Sequence, residues 1–265
     1  MGRPSVIITG AASGIGLACV QLFAERGCNV VAVDADEAGL ADLTRTPRPD
    51  GVPTSDRPGE IVPLVGDVSA QETGTAMVQA AVDHFGRLDT VVLNAGIGGT
   101  LPWEDEGAIA RLDRILAVNV RGVAIGIRSA APALRATGGG AIVVTASSAG
   151  LAADPGNWAY NASKGAVVNL VRAAALDLAA TNIRVNAIAP GLTETPLMAR
   201  HRDVPGLVDA SSRRIPLQRW GRAREQAAAI WFLASADAAY ITGAVLAADG
   251  GLTAMHGAVP PPPLA

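Results

Sequence analysis

Tyr160 and Lys164 stand four residues apart in Tyr160-Asn161-Ala162-Ser163-Lys164. Four residues is about one helical turn, so both side chains can leave one face of a helix. A phenol, with an ordinary pKa of about 10, works as an acid or base near neutral pH only if that value is pulled down. An ammonium one turn away does so by favouring the phenolate. Lys164 is also the only lysine of the chain, beside twenty arginines. A compact, rotatable ammonium has been kept where a flat, diffuse guanidinium would not fill the same hydrogen-bonding point. Ser147, at the end of an apolar run, can hydrogen-bond a substrate oxygen and help to polarise it. Asn119 lies in the helical run Ile115-Leu116-Ala117-Val118-Asn119-Val120, where Asn is a poor helix former. On residue type alone it is either a core amide or part of a site.

Other chemistries lack their residues. His84, His201 and His256 form no cluster and show no metal-ligand spacing, and no G-x-S-x-G elbow is present. Cys19 and Cys28 have no CxxC spacing and no nearby His, so they read as free, buried thiols of a reducing cytosol.

A second group of residues suits a dinucleotide. A strand-like run ends in Thr9-Gly10-Ala11-Ala12-Ser13-Gly14-Ile15-Gly16 and an amphipathic helix follows. Gly10 permits the tight turn, Gly14 lets backbone approach a pyrophosphate, and Gly16 lets helix and strand pack closely. The helix start adds unpaired N–H groups and a positive dipole end. The spacing is G-x-x-x-G-x-G. Asp34 ends the second strand, where an acid accepts from both hydroxyls of an adenosine ribose and repels a 2′-phosphate. No Arg or Lys occupies Ala11, Ala12, Ala35 or Asp36, so NAD is favoured over NADP. Ser69 and Glu72 read as a capping box for the next helix, leaving Asp67 available for the adenine. Asn94-Ala95-Gly96 ends the fourth strand with small residues that would let a cofactor cross the strand ends. The positive ring of an oxidised nicotinamide would then join Lys164 in favouring the phenolate.

The elements that must position these groups alternate along the chain. Strand-like runs fall at 5–9, 29–33, 61–65, 90–93, 141–146, 184–189 and 244–248, with helix-like stretches near 15–26, 37–43, 70–85, 108–135, 160–180 and 223–234. Near-continuous apolar strands separated by helices predict an α/β, doubly wound parallel sheet of about seven strands with helices on both faces, in a single domain. Residues 44–59 are rich in Pro and Gly and read as an exposed loop; 196–220 has mixed character and several arginines; the Pro-rich tail over 257–265 cannot pack as a helix.

Taken in order, the motifs resemble those of the short-chain dehydrogenase/reductase family, in its compact single-domain type. They are Thr9-Gly10-x-x-x-Gly14-Ile15-Gly16, Asp67-Val68, Asn94-Ala95-Gly96, Asn119, Ser147, Tyr160-x-x-x-Lys164 and Pro190-Gly191, and the likeness runs from Ser5 to about Gly251. The resemblance implies that Tyr160 donates or accepts the proton while Lys164 binds the nicotinamide ribose and lowers the tyrosine pKa. Ser147 would orient the substrate oxygen and Asn119 would hold a water of a proton relay. It further implies that Asp67 and Val68 contact adenine, and that Thr193 and Thr195, after Pro190-Gly191, hold the nicotinamide carboxamide. Residues 196–220 become a mobile substrate lid, and Asn157, Trp158, Leu101 and Trp103 pocket walls, with Trp158 counted beside Ser147 and Tyr160 at the substrate. A homotetramer is implied, with the helices near 108–135 and 160–180 at one interface. The activity so implied is NAD-dependent hydride transfer between the nicotinamide and a secondary alcohol or ketone. The alternatives are an NADP-dependent carbonyl reductase of the same fold and a silent dinucleotide-binding sensor or scaffold.

The bulk properties agree. At 265 residues with net charge −3, the chain has no basic excess to attract nucleic acid, no apolar run of membrane-spanning length, and an N-terminus that runs directly into a strand. The expectation is a cytoplasmic enzyme with a small-molecule substrate and no metal.

Overall fold

Every residue of Ser5–Thr9 is buried, as a central strand covered on both faces requires. In a computed structural model of the chain, which describes residues 2–45, 58–199 and 203–255, this strand, β1, lies inside a seven-stranded parallel sheet. Its companions are β2 (Asn29–Asp34), β3 (Ile61–Val65), β4 (Thr90–Leu93), β5 (Gly140–Thr145), β6 (Ile183–Pro190) and β9 (Val245–Ala248). The order is β3-β2-β1-β4-β5-β6-β9 and every pairing is parallel. Connections run one way from β1 to β3 and the other way from β4 onward, so the carboxyl ends of β1 and β4 flank the topological switch point. This is the doubly wound, Rossmann-type single domain expected from the alternation of runs.

Two apolar layers hold the sheet. On one face α1 (Gly14–Glu25), α2 (Glu37–Arg45) and α8 (Ala223–Ala234) bury Cys19, Phe23, Leu40, Ile230 and Leu233 against Val6, Ile8, Val30 and Ala32. On the other, α3 (Gln71–Phe85), α5 (Gly122–Ala136) and α6 (Trp158–Leu178) bury Met77, Ile127, Leu134, Val167 and Val171 against Ile7, Val91, Ile142 and Val185. Cys19 and Cys28 are free thiols inside the first layer. Gly126 lets α5 lie directly on β4, where an added Cβ would come within 2.4 Å of the Leu93 side chain.

Two local expectations change. The stretch near 108–135 is α4 (Ala108–Leu116) and α5 joined by a π turn, Ala117–Arg121, in which the Gly122 N–H reaches back five residues to the Ala117 carbonyl. The Ser69/Glu72 capping box does not form: α3 starts at Gln71 with no side-chain cap, and the Ser69 hydroxyl donates to Asp67 instead. The expected lid, 196–220, is bracketed by the pairing of Thr193–Glu194 (β7) with Gly221–Arg222 (β8); within it Leu207–Ser212 forms the short α7, and buried Trp220 donates its indole N–H to Ser211 Oγ. Residues 46–57 of the 44–59 segment, Arg200, His201 and Arg202 of the lid, and the tail over 257–265 lie outside the described residues.

Arg184 of β6 closes the frame. Its guanidinium donates to the carbonyls of Leu233, Ala234 and Ser235 at the end of α8, at 2.8, 3.2 and 3.1 Å, and more weakly to Ile241. A cation on helix-terminal carbonyls is favoured by both the hydrogen bonds and the dipole. Arg184→Met should therefore cost on the order of 2–3 kcal/mol and lower the midpoint of thermal unfolding by about 5–10 °C, read by calorimetry.

Candidate active site

The ends of β1, β4 and β5 are tied by side chains that do not face solvent. The buried Thr9 hydroxyl accepts from the backbone N–H groups of Asn94 (3.0 Å) and Ala95 (3.1 Å). Asn94 Nδ2 donates to the carbonyls of Thr9 and Gly10, and its Oδ1 accepts from the Thr145 hydroxyl at 3.0 Å. Asn94 thus fixes the glycine turn against β4 and β5, a role that its place in a small-residue tripeptide did not disclose.

The turn itself has the shape a pyrophosphate needs. Gly10 and Gly14 take φ of +67° and +54°, a region that favours glycine. At Gly16 a Cβ would stand 1.8 Å from the Gly10 carbonyl oxygen, so no other residue fits there. Ser13 is the N-cap of α1 but its side chain makes no capping bond, which leaves its hydroxyl and the first amides of the helix, Gly14, Ile15 and Gly16, open to an anion. Thr195 packs against Gly14, so the base of the lid touches this turn. Asp34 is held by two backbone amides, Ala12 N–H on Oδ2 (2.9 Å) and Asp36 N–H on Oδ1 (3.0 Å). Each oxygen keeps a lone pair for a ribose hydroxyl.

Asp67 is more occupied than the sequence implied. Its Oδ1 accepts from Ser69 N–H and Oγ, and its Oδ2 pairs with Arg114 of α4 at 2.9 Å. Slight burial works to raise its pKa, but the bonds from Ser69 and Arg114 outweigh this and hold the carboxyl below its ordinary value. Val68 packs on Gly122 at the end of the π turn. Thr193 is buried; its hydroxyl donates to the Gly191 carbonyl and accepts from Gln226, fixing the segment after Pro190-Gly191. Thr195 Oγ1 lies 3.4 Å from the Thr193 carbonyl.

Ser147, Tyr160, Lys164 and Asn119, the candidates for chemistry, converge beside the turn. Ser147, just past β5, accepts from Ala149 N–H, and its hydroxyl acts on the Tyr160 phenol to favour the phenolate. Lys164 is 3% exposed and donates to the Thr145 carbonyl at 2.8 Å. Its Nζ lies 5.7 Å from the centre of the Tyr160 ring. Asn119, in the π turn, accepts from Ile97 N–H (2.8 Å) and donates to the Ile97 carbonyl and to Ser163 Oγ, each at 3.0 Å. Ser163 in turn donates to the Tyr160 carbonyl at 2.7 Å. A Cβ on Gly96 would be 3.4 Å from both Lys164 Nζ and Asn119 Oδ1, so this glycine keeps the space between them clear.

Burial sets the protonation equilibria here. It pushes the Lys164 pKa down to about 8. It raises the Tyr160 pKa; the Ser147 hydrogen bond opposes that rise and the charge of Asp154 adds to it. The Lys164 ammonium is turned to the Thr145 carbonyl, and the Ser147 hydroxyl works against the rise of the phenol. Asp154 sits on an exposed loop, and partial burial of its carboxyl raises its own pKa.

Trp158 precedes Tyr160 by two residues and leaves the helix on another face. Its indole N–H donates to the Leu101 carbonyl at 3.0 Å and its ring stacks on Trp103, centroids 4.0 Å apart. The pair braces the 97–103 loop against the start of α6. Thr100, Thr145, Ser163 and Asp154 were absent from the sequence-based site. Their only local signal was a hydroxyl or carboxyl close to a strand or helix end.

A family model described as enoyl-(acyl carrier protein) reductase matches residues 10–253. The 2-(R)-hydroxypropyl-CoM dehydrogenase of Xanthobacter autotrophicus is 38% identical over 254 residues, covering 94% of this chain and 98% of that protein. The cis-4-hydroxycyclohexanecarboxylate dehydrogenase of Sinomonas cyclohexanicum is 40% identical over 250 residues, covering 94% and 96%. The crystal structure of 3-ketoacyl-(acyl-carrier-protein) reductase from Brucella melitensis complexed with NADH superposes with a TM-score of 0.84 at 33% identity, covering 94% of this chain and 98% of that one. With that extent of likeness, and with the expected motifs meeting at the switch point of the sheet, the chain belongs to the short-chain dehydrogenase/reductase family of oxidoreductases.

Proposed function

We propose that this enzyme transfers a hydride between the nicotinamide of NAD and a secondary alcohol or ketone, with Tyr160 as the acid/base. The observation that carries the reading is the meeting of Tyr160, Ser147, Lys164 and Asn119 beside an open glycine turn. The residues present fit the cofactor: Ser13 and the α1 amides the pyrophosphate, Asp34 the adenosine ribose, Asp67 and Val68 the adenine. Lys164 takes the second ribose, and Gly191, Thr193 and Thr195 the carboxamide. When bound, the nicotinamide supplies the acceptor or donor of the hydride and, when oxidised, a positive charge.

In oxidation, Ser147 and Tyr160 would hold the alcohol oxygen, and the phenolate would take the hydroxyl proton as the carbon loses hydride. Lys164 makes one bond to Thr145, so two of its three N–H donors remain for ribose hydroxyls and a relaying water. Asn119 is pinned by Ile97 and Ser163 and so keeps the wall of that relay fixed. Burial and the Asp154 charge raise the phenol, so lowering it falls to Ser147, to the Lys164 ammonium and to the cofactor's charge. The substrate would meet Ser147 and Tyr160 directly and Trp158 through the loop that it braces.

NAD is preferred on Asp34, whose carboxylate stands fixed where a 2′-phosphate would lie. The homotetramer is supported by apolar surface needing cover: Leu176 of α6 is 81% exposed, and Phe232, Tyr240 and Leu246 are exposed near β9, an edge strand. The two buried free thiols suit the cytoplasm. Among the described residues no helix is long and apolar enough to cross a membrane.

Four variants and a pH profile test this reading. Tyr160→Phe should lower turnover of alcohols by at least about a hundredfold while NADH fluorescence shows the cofactor still bound; Lys164→Arg should cripple turnover although charge is kept. Asp34→Ala combined with Ala35→Arg should weaken NADH by about tenfold or more and favour NADPH; tighter NADPH than NADH binding by the unaltered enzyme contradicts the assignment. The rate of alcohol oxidation should rise with pH as Tyr160 ionises. Removing the negative charge in Asp154→Asn should lower the phenol pKa and move that rise to lower pH, whereas an unmoved profile would remove Asp154 from the account.

A further inference from the structure

Asn is among the preferred N-cap residues, because its side-chain oxygen can accept from the first amides of the helix. Asn157 occupies the N-cap of α6 and makes no such bond. Its Oδ1 accepts instead from the Thr100 hydroxyl at 2.9 Å, and the same hydroxyl accepts from the Tyr160 backbone N–H at 3.2 Å. Forgoing a cap costs a helix about 1 kcal/mol, so the turned-out orientation needs another source of stability, and Thr100 provides it.

The consequence lies in the other half of the amide. With its oxygen held by Thr100, the Asn157 Nδ2 has no partner among the described residues, and it is not one of the buried polar atoms left unsatisfied. It is a fixed donor in contact with solvent, three residues and so about one helical turn before the acid/base tyrosine. The loop that aims it is rigidly placed. Arg111 donates to the carbonyls of Gly98 and Gly99, Trp158 to that of Leu101, and Trp103 stacks on Trp158.

The geometry points to Asn157 as a substrate-recognising donor for a second oxygen of the substrate, one beyond the oxygen held by Tyr160 and Ser147, with Thr100 as the residue that aims it. This rests on the dehydrogenase reading above. The second oxygen is a neutral one, a hydroxyl or ketone. Among the described residues the flanking loops carry the carboxylates of Glu104, Asp105, Glu106 and Asp154, while the guanidinium of Arg111 is committed to loop carbonyls. The preferred substrate class is therefore a diol, hydroxyketone or diketone over a simple alcohol or ketone.

Matched pairs test it. Oxidation with NAD is followed for 2-butanol against 2,3-butanediol, for cyclohexanol against 1,2-, 1,3- and 1,4-cyclohexanediol, and for 3-hydroxybutyrate as the anionic comparison. The enzyme should favour at least one diol over its mono-ol by roughly tenfold or more in kcat/KM, with no such gain for 3-hydroxybutyrate. Asn157→Asp keeps the shape and the oxygen facing Thr100 but replaces the donor, and should bring the diol-to-mono-ol ratio towards one, chiefly through KM. Asn157→Leu should do the same, and Thr100→Val should reduce the ratio in part. NADH fluorescence verifies that each variant retains a folded cofactor site. A ratio unchanged in Asn157→Asp and Asn157→Leu, no preference for any diol, or a preference for the anion would overturn the inference alone. No oxidation of any compound by the unaltered enzyme would overturn the dehydrogenase reading and this inference with it.

Discussion

The site depends on keeping one ammonium charged inside the protein. Lys164 is almost wholly buried, and its burial disfavours the charged form. What compensates is a line of hydrogen bonds across three strand ends: Lys164 to the Thr145 carbonyl, Thr145 hydroxyl to Asn94, and Asn94 to the carbonyls of Thr9 and Gly10. The same line therefore places Lys164 and the glycine turn relative to one another. A buried polar network of this kind is stable only when its members are satisfied together. That condition fixes the distance between Lys164 and the glycine turn.

Much of the sheet was legible because its code is local and repeated. Apolar runs such as Val30–Val33 and Ile142–Val144 must be covered on both faces, and the helical stretches between them leave few ways to do so. Tyr160 and Lys164 were legible for a similar reason, since a fixed spacing on a helix implies a shared face. The π turn was not. Ile115, Leu116 and Val118 continue an ordinary helical pattern, and the bond that defines the turn leaves no mark on composition. Asn119, the poor helix former inside it, was the one sign that something interrupts the ladder.

Other departures came from partners distant in the chain. The Ser69 hydroxyl would cap α3 if judged by its neighbours, but Asp67 takes it, and Arg114, more than forty residues on, completes that cluster. The Tyr160 pKa moved against expectation because a helical spacing reports which charge is near and not how deeply the phenol is buried. Thr100 and Thr145 have the same difficulty: a threonine in a loop or at the end of a strand looks like scaffold until its hydroxyl is seen to hold another side chain.

The π turn also acts as a phase shift in a single rod. One residue inserted into the ladder rotates everything after it by about 100° relative to an uninterrupted helix. Before the turn, α4 directs Arg111 to the Gly99 carbonyl and Arg114 to Asp67, in the loops beyond the strand ends. After it, α5 directs the glycine edge of Gly122 and Gly126 onto Val68 and Leu93. Asn119 stands at the change of phase, where one helix stops serving the ligands and begins serving the sheet.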